Sequence, residues 1–172
     1  MRFNCPATAL LDGLNIVTHV LSTRTTQPIL EGVLLRATDE GIQLTCSDGA
    51  MSAVTTVPAT VEEDGDMVLP GRLFLDVARR MPQAEMTVSA REGGPAQITC
   101  MGARMTLATQ PGNLFPALPL VSAENSVILP QKLLKEMLSQ VAFAIAVEDP
   151  RKVLNGCLFE IENGEARMVA LD

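Results

Sequence analysis

The chain has 172 residues and a net charge of −7, with 47% apolar residues but only 3% aromatic and no Trp or Tyr. That is enough chain for one or two domains, with a core to be filled by Leu, Val, Ile, Ala and Met. The acidic balance argues against a protein that coats nucleic acid through general basicity, although a local basic face on an acidic body stays open.

Cys5, Cys46, Cys100 and Cys157 form no CxxC pair, and His19 is the one histidine that could join them. They read as small buried hydrophobes in a reducing compartment rather than zinc ligands. The opening MRFNCPATAL lacks the apolar stretch of a signal peptide. No apolar run reaches the ~20 residues that span a bilayer. A cytoplasmic protein without a membrane partner is expected.

Residues 2–5 predict a short strand. Pro6 sits where a helix opens, a place that suits its fixed φ and missing N–H. Leu10, Leu11, Leu14, Val17 and Leu21 follow at the spacing of one helical face. Gly13 inside that face costs ~1 kcal/mol against Ala and points to close packing. The polar run 22–28 breaks the helix. Residues 29–37 predict a strand and 39–41 a turn. Ile42, Leu44 and Cys46 then alternate with polar neighbours, the period of a half-buried strand. Residues 51–57 predict another strand. Glu62, Glu63, Asp64 and Asp66 surround Gly65 in an acidic turn without the EF-hand spacing.

Residues 67–69 predict a strand, and Pro70 opens a second helix. Its apolar side is Leu73, Phe74, Val77, Ala78 and Met81, and its charges are Arg72, Arg79, Arg80 and Asp76. Strands are predicted at 86–90, 97–101 and 104–109. Pro111, Pro116 and Pro119 mark 110–124 as an extended linker. It divides a first domain, 1–122, from residues 123–172. Residues 127–129 predict a strand again, and Pro130 opens a third helix. Leu133, Leu134, Met137, Leu138 and Val141 form its apolar face, beside Lys132 and Lys135. Residues 154–161 and 166–171 predict strands paired across Asn163-Gly164.

The chain repeats itself. A shift of 124 positions lays 125–172 over 1–48 without a gap. Pro6 falls on Pro130, Leu10 on Leu134, Leu14 on Leu138 and Val17 on Val141; Leu30 falls on Leu154, Gly32 on Gly156, Leu34 on Leu158 and Asp48 on Asp172. Chance is the competing reading, but the matches hold one register and fall at helix-core, turn and strand positions. Strand, proline-opened helix and strands therefore recur at Pro6, Pro70 and Pro130. The expectation is one complete repeat plus part of the next, truncated relative to the whole. The fold class is α+β, with helices on one face of antiparallel sheets.

Chemistry is sparse. There is no GxSxG, P-loop or GxGxxG motif, and His19 has no obvious partner. No catalytic residue, metal site or cofactor is expected. Binding fares better. The second and third helices carry mainly cationic charge within an acidic chain, and Arg24 follows the first helix. Ordinary surface charge is the competing reading. Repeated units would add these charges into one weakly positive face that contacts phosphates without reading bases.

The runs MRFNCPATALLDGLNIVTHVLSTRTTQPILEGVLL, VLPGRLFLDVARRMP, LATQPGNLFPALP and VLNGCLFEI…RMVALD resemble the bacterial sliding clamp, the β subunit of DNA polymerase III. The resemblance covers the entire chain, with segments in the right order and spacing. It implies the DNA-clamp fold: three similar domains per chain, and two chains closed head to tail into a ring around duplex DNA. This chain resembles the first domain and the first half of the second. The resemblance implies a non-catalytic processivity factor that tethers the replicative polymerase, with a non-enzymatic repeat scaffold or unrelated interaction module as the alternative.

Residue by residue, it puts Arg24, Arg72, Arg79 and Lys135 on DNA. Arg151 and Leu154 fall in the groove that takes clamp-binding peptides of the polymerase III catalytic subunit and the clamp loader. Leu73, Arg104, Met105 and Leu107 fall on the subunit-contact edge of a homodimer ring. Glu148 stands where the family usually has an uncharged polar residue, and Leu171 where it has Thr.

Overall fold

The computed structural model describes residues 1–22, 25–91, 93–118 and 126–172. The chain divides into two units, Met1–Pro119 and Leu120–Asp172. The predicted boundary at 122/123, most of the final part of the linker, and Arg24 lie outside the described residues.

The first unit opens with strand β1 (Arg2–Pro6) and helix α1 (Ala7–Val17). Pro6 is the helix N-cap with φ −61° and ψ 130°, so one residue ends the strand and starts the helix. The α-helix stops at Val17, earlier than the apolar spacing predicts, and continues as a 3-10 turn over Thr18–Val20. The Thr18 hydroxyl donates back to the Leu14 carbonyl at 2.7 Å, a local bond that competes with the helical ladder. Where a strand is predicted from residue 29, Pro28–Glu31 instead make a 3-10 turn. Three strands follow, β2 (Gly32–Thr38), β3 (Gly41–Ser47) and β4 (Ser52–Val57).

Strand β5 (Thr60–Glu63) has no counterpart in the predicted elements, because its carboxylates read as a turn. It pairs with β1, and the Arg2 guanidinium meets Glu62 at 2.9 Å. Then come β6 (Asp66–Pro70), helix α2 (Gly71–Arg80), β7 (Glu85–Ala90), β8 (Ala96–Cys100) and β9 (Ala103–Leu107). A short β10 (Gln110–Pro111) occupies the start of the predicted linker.

The strands form two antiparallel five-stranded sheets, ordered β5-β1-β7-β8-β9 and β10-β6-β2-β3-β4. The two orders are one pattern drawn twice. Each half of the unit is a strand, a helix and four strands, the last of them, β5 or β10, pairing with the first. Each half sends its first strand into the other half's sheet: Cys5 of β1 lies opposite Met86 of β7, and Leu69 of β6 opposite Val33 of β2. The halves are interlocked. Helices α1 and α2 pack together and against the sheets, closing a single core that includes Phe3, Leu10, Leu14, Leu44, Leu69 and Phe74. Each such side chain contributes about 1.5–3 kcal/mol through burial. Gly13 explains its own place in α1. A Cβ there would stand 2.6 Å from Val57 Cγ2 of β4, so glycine lets the helix approach the sheet.

The second unit contains helix α3 (Gln131–Val141), 3-10 turns at Ala142–Ala144 and Lys152–Asn155, and the hairpin β11 (Leu158–Glu162) and β12 (Glu165–Val169). Asn163 and Gly164 both have positive φ, 52° and 81°, the hairpin turn that Asn-Gly predicts. The repeat is structural: the 124-residue shift lays α1 on α3 and both 3-10 turns on their counterparts residue for residue, and sets β2 and β3 over β11 and β12.

Two expectations fail here. Residues 127–129 form no strand, and no described residue of the unit is buried, so the predicted apolar face of α3 leaves Leu133 and Leu138 exposed. The cause is visible in the first unit. There β1 is paired by β5 and β7, and α1 is covered by β4, α2 and β3. Counterparts of β4, β5, α2 and β7 are not present among the described residues of the second unit.

Candidate nucleic-acid interface

Helix α2 positions the densest cationic face. Its buried side, Phe74, Val77 and Ala78, fixes the helix on the core and leaves Arg72, Asp76, Arg79 and Arg80 outside. Arg72 and Arg79 are two helical turns apart, about 10.5 Å along the axis and on one side. They are not equivalent. The Arg79 guanidinium lies 3.9 Å from the Asp76 carboxylate and donates to Asn15 Oδ1 of α1 at 3.3 Å. Arg72 has no ion-pair partner among the described residues and is the freer cation. Helix α1 adds Asp12 and no cation of its own.

In the second unit, Lys132 of α3 faces Glu136 at 4.0 Å, while Lys135 has no ion pair among the described residues. Across the three α-helices five basic residues stand against three acidic ones, in a chain of net charge −7. The helices are therefore net positive, and the sheets and loops carry the acid. Arg24, which the sequence assigns to the same role, lies outside the described residues.

The loop that carries Arg151 is closed on itself. Asp149 Oδ1 accepts the Arg151 backbone N–H at 2.7 Å and its Nε–H at 3.0 Å, while Oδ2 accepts Nη2 at 3.0 Å. Asn155 Oδ1 accepts the Asp149 N–H at 3.0 Å, and its Nδ2 donates to the Asp149 carbonyl. The Arg151 side chain holds the Asp149 carboxyl below its usual range, with help from the Arg151 backbone N–H. Leu154 is half-buried in the following 3-10 turn, and Glu148 adopts φ 59°.

At the other assigned surface, Arg104 and Met105 lie on β9, an edge strand paired only with β8. Both are exposed, as is Leu73 on α2. Leu107 of the same strand turns inward and belongs to the core. The edge thus offers main-chain groups and Met105, not Leu107.

His19 is exposed on a 3-10 turn. Among the described residues no cluster of His, Cys, Asp and Glu could hold a metal. Burial pushes the Cys5 and Cys46 thiols up to about 12, which suits packing and not nucleophilic attack. Among the described residues no helix is long and apolar enough to cross a membrane.

Sequence models of two domains match this chain: the DNA polymerase III beta subunit N-terminal domain over residues 1–119, and its central domain over 128–172. The chain belongs to the DNA polymerase III β-subunit family. The Beta sliding clamp of Staphylococcus aureus is 32% identical over 180 residues, covering 100% of this chain and 48% of that protein. The crystal structure of a putative β subunit from Eubacterium rectale is 34% identical with a TM-score of 0.93, over 100% of this chain and 47% of that one. A Pseudomonas aeruginosa sliding clamp bound to griselimycin is 30% identical with a TM-score of 0.92, over 100% and 47%. The chain spans about half the length of the curated relatives it matches. The α+β clamp fold expected from the resemblance is the fold observed.

For a β-subunit chain, the structure adds residues that sequence reasoning left without a role. Arg80 is exposed beside Arg79 and is the third cation of α2. Asp149 fixes the orientation of Arg151, and the spacing Asp149-Pro150-Arg151 was its signal in the sequence.

Proposed function

We propose that this chain works as part of a sliding clamp: a non-catalytic, cytoplasmic processivity factor that surrounds duplex DNA and tethers the replicative polymerase. The observation that carries the reading is the charge separation, net-positive helices on a strongly acidic chain, in a chain whose relatives are named beta sliding clamps. In this reading residues 1–122 are the first clamp domain and 123–172 the first half of the second. Arg24, Arg72, Arg79 and Lys135 touch phosphates, and Arg80 joins them. Arg151 and Leu154 begin the groove for peptides of the polymerase III catalytic subunit and the clamp loader. Leu73, Arg104 and Met105 line the edge that meets a second chain in the ring, with Leu107 supporting it from inside. Exposed arginines such as Arg72 and the partly neutralised Arg79 suit sliding, because contacts of this kind are weak and carry no sequence information.

Binding of the chain to linear duplexes, titrated against salt, tests the reading. Weak binding of about 10⁻⁴–10⁻⁶ M is expected, equal on all sequences and lost as salt rises. Replacing Arg24, Arg72 and Arg79 by Ala should weaken it on every sequence alike and flatten the salt slope by about 0.9 per phosphate contact removed. Tight binding to one sequence, insensitive to salt, would exclude the clamp reading.

A further inference from the structure

The first unit contains an open notch of about 480 Å³, bounded by both of its halves. Leu21 and Ser22, which follow the 3-10 turn after α1, form one side with Pro28 and Glu31 of the next 3-10 turn. Val68 and Leu69 of β6 lie buried at its base, and Arg72 and Leu73 at the start of α2 form the other side. The walls are mostly aliphatic. Two glycines set their spacing: a Cβ on Gly71 would stand 2.7 Å from Leu21 Cδ1, and one on Gly32 would collide with Val68 Cγ1. Every wall belongs to the first unit, whose core is closed by its own helices and sheets.

Three kinds of donor converge on these aliphatic walls. Pro70 opens α2, and no side chain caps it. The N–H groups of Arg72 and Leu73 therefore lack intrahelical acceptors, at the positive end of the helix dipole. The Arg72 guanidinium has no ion-pair partner among the described residues, unlike Arg79 at the other end of the helix. Ser22 is 9% exposed, and its hydroxyl makes no hydrogen bond among the described residues. No fully buried side-chain oxygen or nitrogen among those residues lacks a partner, so this hydroxyl keeps its access through the notch. A nearly buried hydroxyl without a partner costs free energy that a bound acceptor recovers. Against these donors stands one carboxylate, Glu31, with Gln110 also at the rim.

We propose that this notch binds a small amphiphilic monocarboxylate. Its apolar tail lies along Leu21, Val68 and Leu69, and its carboxylate accepts from the Ser22 hydroxyl, the first N–H groups of α2 and the Arg72 guanidinium. A carboxylate has two oxygens with about four acceptor sites, enough for this set. The chemistry of the walls decides between ligands. Inorganic phosphate would satisfy the donors but leave the aliphatic surface in water, and its second charge would meet Glu31. An uncharged tail would cover the walls but leave Ser22 and Arg72 as they are. One charge joined to an apolar body uses both. The volume is that of an ordinary small-molecule pocket, apolar with a few convergent polar groups. The site goes beyond the clamp reading and stands whether or not the chain touches DNA.

Amide NMR of the 172-residue chain, titrated with hexanoate, tests it. Hexanoate should bind with a dissociation constant on the order of 1 mM and shift the amides of Ser22, Gly71, Arg72 and Leu73. Hexanol has the same tail without the charge, and inorganic phosphate has charge without the tail. Each should bind at least about fivefold more weakly. Arg72→Ala should weaken hexanoate by about fivefold and Ser22→Ala by about threefold, while Arg72→Lys keeps most of the affinity. Glu31→Gln should tighten it. Circular dichroism should show the same fold for the variants at positions 72 and 31, because both side chains are exposed. No saturable shift with hexanoate overturns the proposal. So do shifts that map away from the start of α2, hexanol or phosphate binding as tightly as hexanoate, or an affinity indifferent to both Arg72→Ala and Ser22→Ala.

Discussion

Leu14 and Leu138 are the same residue at the same place in two copies of one pattern, yet Leu14 is 0% exposed and Leu138 is 41% exposed. The contrast runs through both regions. Seven large apolar side chains are exposed in the first unit, against twelve among the far fewer described residues of the second. Both regions have a helix with an apolar stripe and an antiparallel hairpin. Among the described residues only the first also has a strand like β4 and an opposite half, and α1 packs on both β4 and α2. In this fold the core belongs to the pair of interlocked halves and not to either half. A local pattern of hydrophobic residues therefore marks a surface that will be covered, without supplying its cover.

The largest expected effect separates the two leucines directly. Leu14→Ala should lower the stability of the first unit by roughly 3–5 kcal/mol, the range for emptying a packed leucine site. Leu138→Ala in dilute protein should cost under about 1 kcal/mol, since much of that side chain is already in water. Urea unfolding followed by far-UV circular dichroism reads both. Equal costs would break the comparison.

A smaller effect concerns the thiols. Cys5, Cys46 and Cys100 are buried in the first unit, and Cys157 is half-buried in the second. Burial, with Glu85 adding to it at Cys5, pushes the Cys5 and Cys46 thiols up to about 12. A thiol-specific reagent at mildly alkaline pH should consume Cys157 first in dilute native protein, and the other three only on unfolding. The raised thiols also carry a pH dependence. They ionise near pH 8.5 when unfolded and near 12 when folded, so the stability they contribute is complete below about pH 8.5 and falls as the pH rises toward 12. Rapid labelling of Cys5 or Cys46 in the native chain would show a first-unit core looser than its packing implies.

The helices and most strands were legible because each announces itself locally. Prolines at 6, 70 and 130 stand at three N-caps, apolar residues recur at helical spacing, and Asn163-Gly164 makes the hairpin turn. The repeat was legible as eight identities and holds element by element. What stayed hidden depended on distant partners. Strand β5 looked like an acidic turn because its pairing with β1 is non-local. Residues 127–129 looked like a strand because their twin, β1, is one, but β1 is made a strand by β5 and β7 on either side. At the candidate site, the cationic helix face could be read from spacing. The restraint of Arg79 by Asp76 and Asn15, and the inward turn of Leu107, needed three dimensions.

The smallest effect is electrostatic and sets one carboxylate from each unit against the other. Asp48 Oδ1 accepts the N–H groups of Met51 at 2.7 Å and Ala50 at 2.8 Å, and these bonds, Met51 first, hold its carboxyl below the usual range. Asp149 is also depressed, mainly by the Arg151 side chain and then by that residue's backbone N–H. A depressed folded pKa contributes stability at pH above the unfolded value near 3.9, and that stability is lost as the pH falls through the folded pKa. Both turns should therefore loosen only below about pH 4. Salt distinguishes them. Main-chain N–H groups carry no net charge, so Asp48 should titrate at nearly the same low pH at any ionic strength. The Asp149 shift comes mainly from hydrogen bonds donated by a charged side chain at the surface, and the attraction of exposed charges is screened by salt. Carboxylate NMR titrations at low and high salt should show Asp149 moving back toward its ordinary value while Asp48 stays. Equal movement of the two would mean that the Arg151 charge contributes nothing beyond its hydrogen bonds, and that the two turns are held in the same way.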